Sequence, residues 1–215
     1  MSVVTFPSLP TRYRFADLVV HIVGLCLILV AGSSLIRKAF SELDTSLVLA
    51  VIVYVAAALG SNLASFAYHF SKRHSLRPKL RRIDHAAIYP SIAGTFTPFF
   101  VQAGTSWTMT MLAVCWTVTA IAMWKKITDE QVKSRWSTAS YFGLGAIGLL
   151  AIPDLKNVPI TTLWAIFAGC ASYAIGTIFY ARKDMPYRYA TWHMWVNFGG
   201  ISMFVGIWLA LFSVA

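Results

Sequence analysis

The chain has 215 residues, of which 58% are hydrophobic and 12% are charged, and its mean hydropathy is +0.65. About a quarter of the residues in soluble domains are charged, so this composition excludes an ordinary water-soluble globule. It also excludes disordered and collagen-like chains. The formal net charge of +10 would suggest a nucleic-acid partner in a soluble protein. In a membrane protein it has a simpler cause, because Lys and Arg gather in cytoplasmic loops. We therefore expect a small polytopic membrane protein without a nucleic-acid partner.

Apolar segments recur along the whole chain, with lengths close to the roughly 20 residues that a membrane-spanning helix requires. They lie near residues 18–36, 46–70, 84–103, 106–124, 138–153, 160–181 and 189–213. The segments between them are too short to form a separate soluble domain. The sequence therefore predicts an all-α protein with seven transmembrane helices in one domain, residues 1–215.

The basic residues predict how these helices are oriented. Fifteen of the 18 Lys and Arg residues lie in the N-terminal segment and in the second-to-third, fourth-to-fifth and sixth-to-seventh connections, which share one face of a seven-helix protein. The opposite face has only Arg37, Lys38 and Lys156. Because cytoplasmic loops are enriched in Lys and Arg, we expect a cytoplasmic N-terminus and an external C-terminus. The short loops favour a bacterial inner membrane.

Several polar side chains lie inside or at the edge of the apolar segments. An ionisable group in the hydrocarbon region costs roughly 2.5–3.5 kcal/mol, so each one requires a physical reason. The residues concerned are Asp17, His21, Ser65, His69, Asp84, His85 and His193. At 1.5 Å per residue, His21, His69, Asp84 and His193 lie within about 10 Å of the basic cytoplasmic rim. The sequence predicts that four helices place a histidine or a carboxylate in one thin layer.

This layer has the chemistry of a zinc site. Neutral imidazoles and oxygen ligands suit zinc, and a catalytic zinc site has about three protein ligands and an open position for water. Zinc lowers the pKa of that water towards neutrality, and a nearby carboxylate can accept its proton. Ser65 shares a helix face with His69 and can donate a hydrogen bond to a substrate carbonyl or to water. Alternatively, the polar groups only hydrogen-bond to one another and fix the contacts between helices.

Four stretches of the sequence resemble one family. The segment LRRIDHAAIYPSIAGTFTPF (Leu80–Phe99) is similar to the third-helix signature of the hemolysin III proteins, members of the progestin and adipoQ receptor superfamily. SNLASFAYH (Ser61–His69) resembles their second-helix motif, and VVHIVG (Val19–Gly24) resembles the start of their first helix. GCASYAIGTIFYARKDMPYRYATWH (Gly169–His193) resembles their sixth-helix, loop and seventh-helix signature. Together these motifs span nearly the whole chain in order.

The resemblance implies a zinc ion in a seven-helix fold with a cytoplasmic N-terminus. In the family pattern the ligands are a second-helix histidine and two histidines four apart in the seventh helix. Carried over, His69 and His193 are zinc ligands, Asp84 is the carboxylate that holds a water or also binds zinc, and Ser65 is its neighbour. The earlier seventh-helix position is Tyr189, whose pKa near 10 makes it a poor ligand. This difference leaves a weaker site, a replacement ligand such as Asp84 or His21, or a fold without metal.

Two functions follow from the resemblance. The first is a zinc-dependent intramembrane hydrolase of lipid amides or esters, similar to the ceramidase-like activity of superfamily receptors, with Asp84 and Ser65 as catalytic residues and zinc as cofactor. The second is a non-enzymatic protein that senses or maintains the state of the bilayer, or forms a pore. In both, the partner is membrane lipid. The sequence does not define an oligomeric state.

Overall fold

The structure is a computed structural model that describes residues 10–129, 134–156 and 158–213, so Lys133, one of the basic residues counted above, lies outside it. The described residues form seven α-helices and no strand. The helices are α1 (Thr11–Glu42), α2 (Thr45–Phe70), α3 (Arg77–Ala103), α4 (Ser106–Thr128), α5 (Ser134–Leu149), α6 (Ile160–Ala181) and α7 (Arg188–Phe212). Two single-turn 3-10 segments, His74–Leu76 and Ile152–Asp154, precede α3 and follow α5. The predicted all-α class is confirmed.

Some helices extend beyond the apolar segments that predicted them. The first apolar segment begins near residue 18, yet α1 begins at Thr11 and ends at Glu42, while α3 begins at Arg77 instead of near residue 84. Lys and Arg are good helix formers, and their long side chains reach towards water from a helix end. A hydropathy pattern therefore marks the apolar part of a helix rather than the whole helix.

Five of the seven helices have both the length and the apolar composition needed to cross a membrane: α1, α2, α4, α6 and α7. The other two differ for separate reasons. α3 begins with a basic segment and contains Pro90 and Pro98, and α5 has only 16 residues. That α3 and α5 also cross the membrane, and that the N-terminus is cytoplasmic, stay predictions.

The first and last helices are neighbours. α1 packs against both α2 and α7, and α7 also packs against α6, while α3 contacts α2, α4, α5 and α7. The buried core includes Phe99 and Phe100 of α3, each 1% exposed, which fits the central position of that helix. Because α1 lies between α2 and α7, side chains from both ends of the chain can meet those of α2.

A glycine allows the close approach of α1 and α7. A Cβ atom on Gly24 would lie 2.6 Å from Oδ1 of Asn197 on α7. The Asn197 side chain instead donates a hydrogen bond of 3.0 Å to the backbone carbonyl of Val20. Small residues of this kind let helix backbones pack closely in lipid. This contact holds α1 against α7 within about two turns of Asp17 and His193.

Candidate metal centre

The polar residues of three helices converge at one end of the bundle. Each helix contributes a pair of side chains four residues apart: Asp17 and His21 from α1, Ser65 and His69 from α2, and Tyr189 and His193 from α7. Residues four apart share one face of an α-helix, so each pair points in one direction. Packing of α1 between α2 and α7 then brings the three pairs together.

Asp17 lies at the centre of this group. Its Oδ1 accepts a hydrogen bond of 2.7 Å from Nδ1 of His193, and its Oδ2 lies 2.9 Å from Nδ1 of His69. The ligand atoms of Asp17, His69 and His193 all lie within 4.8 Å of one another. Two imidazoles and one carboxylate from three different helices can therefore hold one metal ion.

The dimensions of this group fit zinc. Zn–N and Zn–O distances of about 2.0–2.1 Å in a tetrahedral site place neighbouring donor atoms about 3.3 Å apart. The contacts of 2.7 and 2.9 Å from Asp17 to the two histidines lie roughly half an ångström below that separation. With shifts of about this size, the three residues would supply three of the four ligands of a tetrahedral zinc site.

His21 and Ser65 form a second layer of hydrogen bonds around the three. His21 Nδ1 lies 2.8 Å from the backbone carbonyl of Asp17, which can only accept, so this nitrogen carries a proton. Nε2 of His21 lies within hydrogen-bond distance of the Ser65 hydroxyl, at 3.1 Å. Ser65 Oγ also lies 3.4 Å from Nε2 of His193. These contacts orient the two imidazole rings, whose centroids are 4.1 Å apart.

The site is largely removed from solvent. Asp17 is 4% exposed and His21 is 3% exposed. A buried carboxylate without a partner is costly, and the partners here are imidazoles, which are neutral unless they gain a proton. A divalent cation between the carboxylate and the two imidazoles would balance this charge.

Asp84 is in the same region but is not one of the three. Its half-buried carboxyl lies on α3, close enough to Ser65 and His69 to interact with both. The predicted ligand His69 thus lies close to Asp17 and His193, and Asp84 and Ser65 lie beside this group. The role of Asp84, as a ligand or as a holder of water, stays a prediction.

Tyr189 lies where the family resemblance implied a second histidine of the seventh helix. Its ring lies edge-on to His69 with the centroids 5.0 Å apart, and its hydroxyl accepts a 2.6 Å hydrogen bond from Arg188. The tyrosine is thus adjacent to the candidate metal centre, while its hydroxyl oxygen is hydrogen-bonded to a guanidinium. Asp84 and His21 were the replacement ligands expected from the sequence, whereas the side chain that joins the two histidines is Asp17.

The sequence contains a signal for Asp17, but that signal alone does not give the residue a role. A carboxylate four residues before a histidine, within an apolar helix, is costly unless it binds a cation or a polar partner. Asp17 and His193 are 176 residues apart in the chain, so the sequence alone does not predict their contact. Only the packing of α1 against α7 shows that Asp17 bridges two histidines.

The fold and this site define a helical integral membrane protein with a buried histidine and carboxylate centre. A model of the family described as "Haemolysin-III related" matches residues 15–205. The chain is 30% identical over 197 residues to "Hemolysin-3" of Bacillus cereus, covering 90% of this chain and 89% of that protein. It is 29% identical over 196 residues to "Hemolysin-3 homolog" of Bacillus subtilis (strain 168), covering 90% and 92%.

The protein belongs to the haemolysin III family. The family resemblance of the sequence is thereby confirmed, within the broader progestin and adipoQ receptor superfamily.

Proposed function

We propose that this protein is a zinc-dependent hydrolase of lipid amides or esters in a bacterial inner membrane, with its N-terminus in the cytoplasm. The observation that carries the proposal is the three-ligand group of Asp17, His69 and His193, drawn from three helices. Zinc sites that catalyse hydrolysis have about three protein ligands and an open position. The family and the apolar helices place these ligands in a membrane protein, where the substrate at hand is lipid.

Each residue of the site has a separate task in this proposal. Asp17, His69 and His193 would hold the metal, which when bound polarises a carbonyl and makes water a nucleophile near neutral pH. His21 and Ser65 keep the rings oriented through the hydrogen bonds at 3.1 and 3.4 Å. Such outer hydrogen bonds fix which nitrogen of a ligating histidine faces the metal.

Asp84 would move the proton. Water adds to the carbonyl carbon of the amide or ester, and Asp84 takes the proton that this water loses. The bond from carbon to nitrogen or oxygen then breaks, and Asp84 returns the proton to the leaving amine or alcohol. The fatty acid is the second product. A carboxylate that accepts and then donates one proton is the usual arrangement in general acid–base catalysis.

A non-enzymatic role is the second candidate, and one observation favours it. The polar groups already satisfy one another: Asp17 contacts His69 and His193, and Ser65 contacts His21 and His193. A closed network of this kind can fix the contacts between α1, α2 and α7 without any metal. The protein would then sense or maintain the state of the bilayer.

Metal analysis combined with an activity assay separates the two candidates. Protein purified without chelators should contain about one zinc per chain, and it should release fatty acid from labelled lipid amides or esters. Asp84→Asn should keep the zinc and lose the release of fatty acid, while His74→Ala, an exposed histidine outside the cluster, should change neither. Protein without zinc, or with zinc and no release across a broad lipid panel, would favour the non-enzymatic role. Loss of zinc in Asp84→Asn would instead make Asp84 a ligand.

A further inference from the structure

A cavity of about 350 Å³ lies beside the metal centre, between the start of α1 and the connection from α6 to α7. Its lining includes Tyr13, Asp17, Lys183, Asp184, Tyr187 and Arg188. Ligand pockets in proteins start at about 300 Å³, so the cavity is large enough for a small polar group. Asp17 lines the cavity and also belongs to the metal centre. The cavity therefore connects the metal centre with the end of the bundle where the basic residues lie.

Two basic side chains, Lys183 and Arg188, line this cavity. Within the described part of the chain, neither Arg188 nor Lys183 takes part in a salt bridge. The guanidinium of Arg188 is oriented by its hydrogen bond to the Tyr189 hydroxyl and by the Tyr180 ring, 5.6 Å from it. A guanidinium held in this way is preorganised for a phosphate, which it binds through two parallel N–H groups.

The rim of the cavity contains a strained residue. Tyr187, which immediately precedes α7, has a φ of 56°, in the left-handed region that residues other than glycine rarely adopt. This conformation sets its ring against that of Tyr13 on α1, with the ring centroids 4.4 Å apart. Backbone strain of this kind clusters at ligand sites. Tyrosines with one polar and one apolar end are also typical of the lipid headgroup region.

We propose that this cavity binds the phosphate of a lipid headgroup through Arg188 and Lys183, and that the substrates of the metal centre are phosphate-bearing lipids. The proposal deepens the proposed function, on which its second half rests. In a phospholipid the acyl carbonyls are a few bonds from the phosphate, and Asp17 lines the same cavity as Lys183 and Arg188, so a lipid held by its phosphate would have a carbonyl within reach of Asp17. Asp184 also lines the cavity, and its carboxylate repels an anion bound there, which weakens the binding.

Lipid retention by purified protein in detergent tests the binding. Native mass spectrometry should detect bound phosphatidylglycerol, but neither diacylglycerol with the same acyl chains nor ceramide, both of which lack phosphate. Lys183→Ala and Arg188→Ala should each weaken retention about tenfold, the effect of losing one hydrogen bond to a charged group. Asp184→Asn should strengthen it. Arg182→Ala is the matched control, because this arginine precedes Lys183 in the same loop and does not line the cavity.

Each outcome decides the proposal. The proposal would be overturned if Lys183→Ala and Arg188→Ala retained as much phosphatidylglycerol as Arg182→Ala. It would also be overturned if the native protein retained as much diacylglycerol as phosphatidylglycerol. Lys183 is exposed, so its variant tests the idea even if Arg188→Ala does not fold. Glycerol phosphate should displace the lipid, whereas binding of inorganic phosphate without any lipid retention would overturn the lipid assignment. Metal content separates the two proposals, because His69→Ala should lose zinc and still retain phosphatidylglycerol.

Discussion

Asp17 and His193 are 176 residues apart in the chain, and the carboxylate of Asp17 accepts a hydrogen bond of 2.7 Å from Nδ1 of His193. The contact joins the first helix to the last and brings the same carboxylate to His69 on α2. It closes the helical bundle and forms the candidate metal centre at the same time. Changes at Asp17 are therefore expected to affect metal binding and the packing of α1.

Zinc binding by His69 and His193 can be tested with a third histidine, His74, as the control. His69→Ala and His193→Ala should each reduce the metal content from about one per chain to nearly none, because a three-ligand site does not tolerate loss of an imidazole. His74→Ala should leave the content unchanged, since His74 is exposed in the segment before α3. Atomic absorption on folded, monodisperse protein is the measurement. Full metal content in either variant would contradict the ligand set.

Replacing Asp17 distinguishes a ligand from a supporting carboxylate. We expect Asp17→Asn to weaken zinc binding beyond the roughly 10–100-fold that is typical when an outer-layer partner of a ligating histidine is lost. The exposed Glu42→Gln is the control for removing one negative charge from α1. Competition with a fluorescent zinc chelator measures the affinity. A loss within that range would mean that Asp17 orients the histidines instead of binding the metal.

Tyr189→His should strengthen the site. The Tyr189 ring lies 5.0 Å from that of His69, so an imidazole at this position adds a nitrogen ligand next to an existing one. We expect zinc affinity to rise by at least about tenfold, equivalent to about 1.4 kcal/mol. Tyr189→Phe, which removes the hydroxyl without adding a ligand, should not raise the affinity. Equal affinities for the histidine and phenylalanine variants would show that position 189 does not reach the metal.

The close contact of α1 and α7 predicts the effect of one added methyl group. Gly24→Ala places a Cβ atom against the Asn197 side chain and should destabilise the protein by about 1–3 kcal/mol, as overpacking does in other tightly packed interiors. Gly200→Ala on α7 is the control, because no heavy atom beyond the adjoining backbone of its own helix lies within 4 Å of the added Cβ. Thermal unfolding of both variants gives the comparison. The Gly24 variant should also bind zinc more weakly, since Asp17 would move away from His193.

Asp44, at the start of α2, predicts that the stability of the protein depends on pH. Asp44 accepts hydrogen bonds from the Ser46 hydroxyl and from the backbone N–H groups of Ser46 and Leu47, which hold its pKa below the ordinary value. A lowered pKa in the folded state means that Asp44 stabilises the protein above its unfolded-state pKa and loses this effect as the pH falls through the folded-state value. The difference in melting temperature between the native protein and Asp44→Ala should therefore shrink in acid. A difference independent of pH would contradict this role.

Much of the fold followed from local features of the sequence. The apolar segments predicted the number and order of the helices. A run of about 20 apolar residues favours a lipid-embedded helix whatever the rest of the chain does, so each helix could be predicted from its own segment. The helix ends were less predictable: α1 begins at Thr11 and α3 at Arg77, because charged residues continue a helix after its apolar part ends. His69 and His193 were among several candidates because an ionisable group is costly in an apolar helix, and the family resemblance then singled them out as zinc ligands.

The sequence by itself determined the membrane class, the helices and the family, since composition, hydropathy and short motifs are carried by residues close together in the chain. Only the tertiary structure decided which carboxylate joins the two histidines. Asp17 and Asp84 are both costly groups near one end of an apolar helix, and nothing local distinguishes them. Packing of α1 between α2 and α7 brings Asp17 to both imidazoles and leaves Asp84 beside Ser65, because the position of a side chain in a bundle depends on its neighbouring helices.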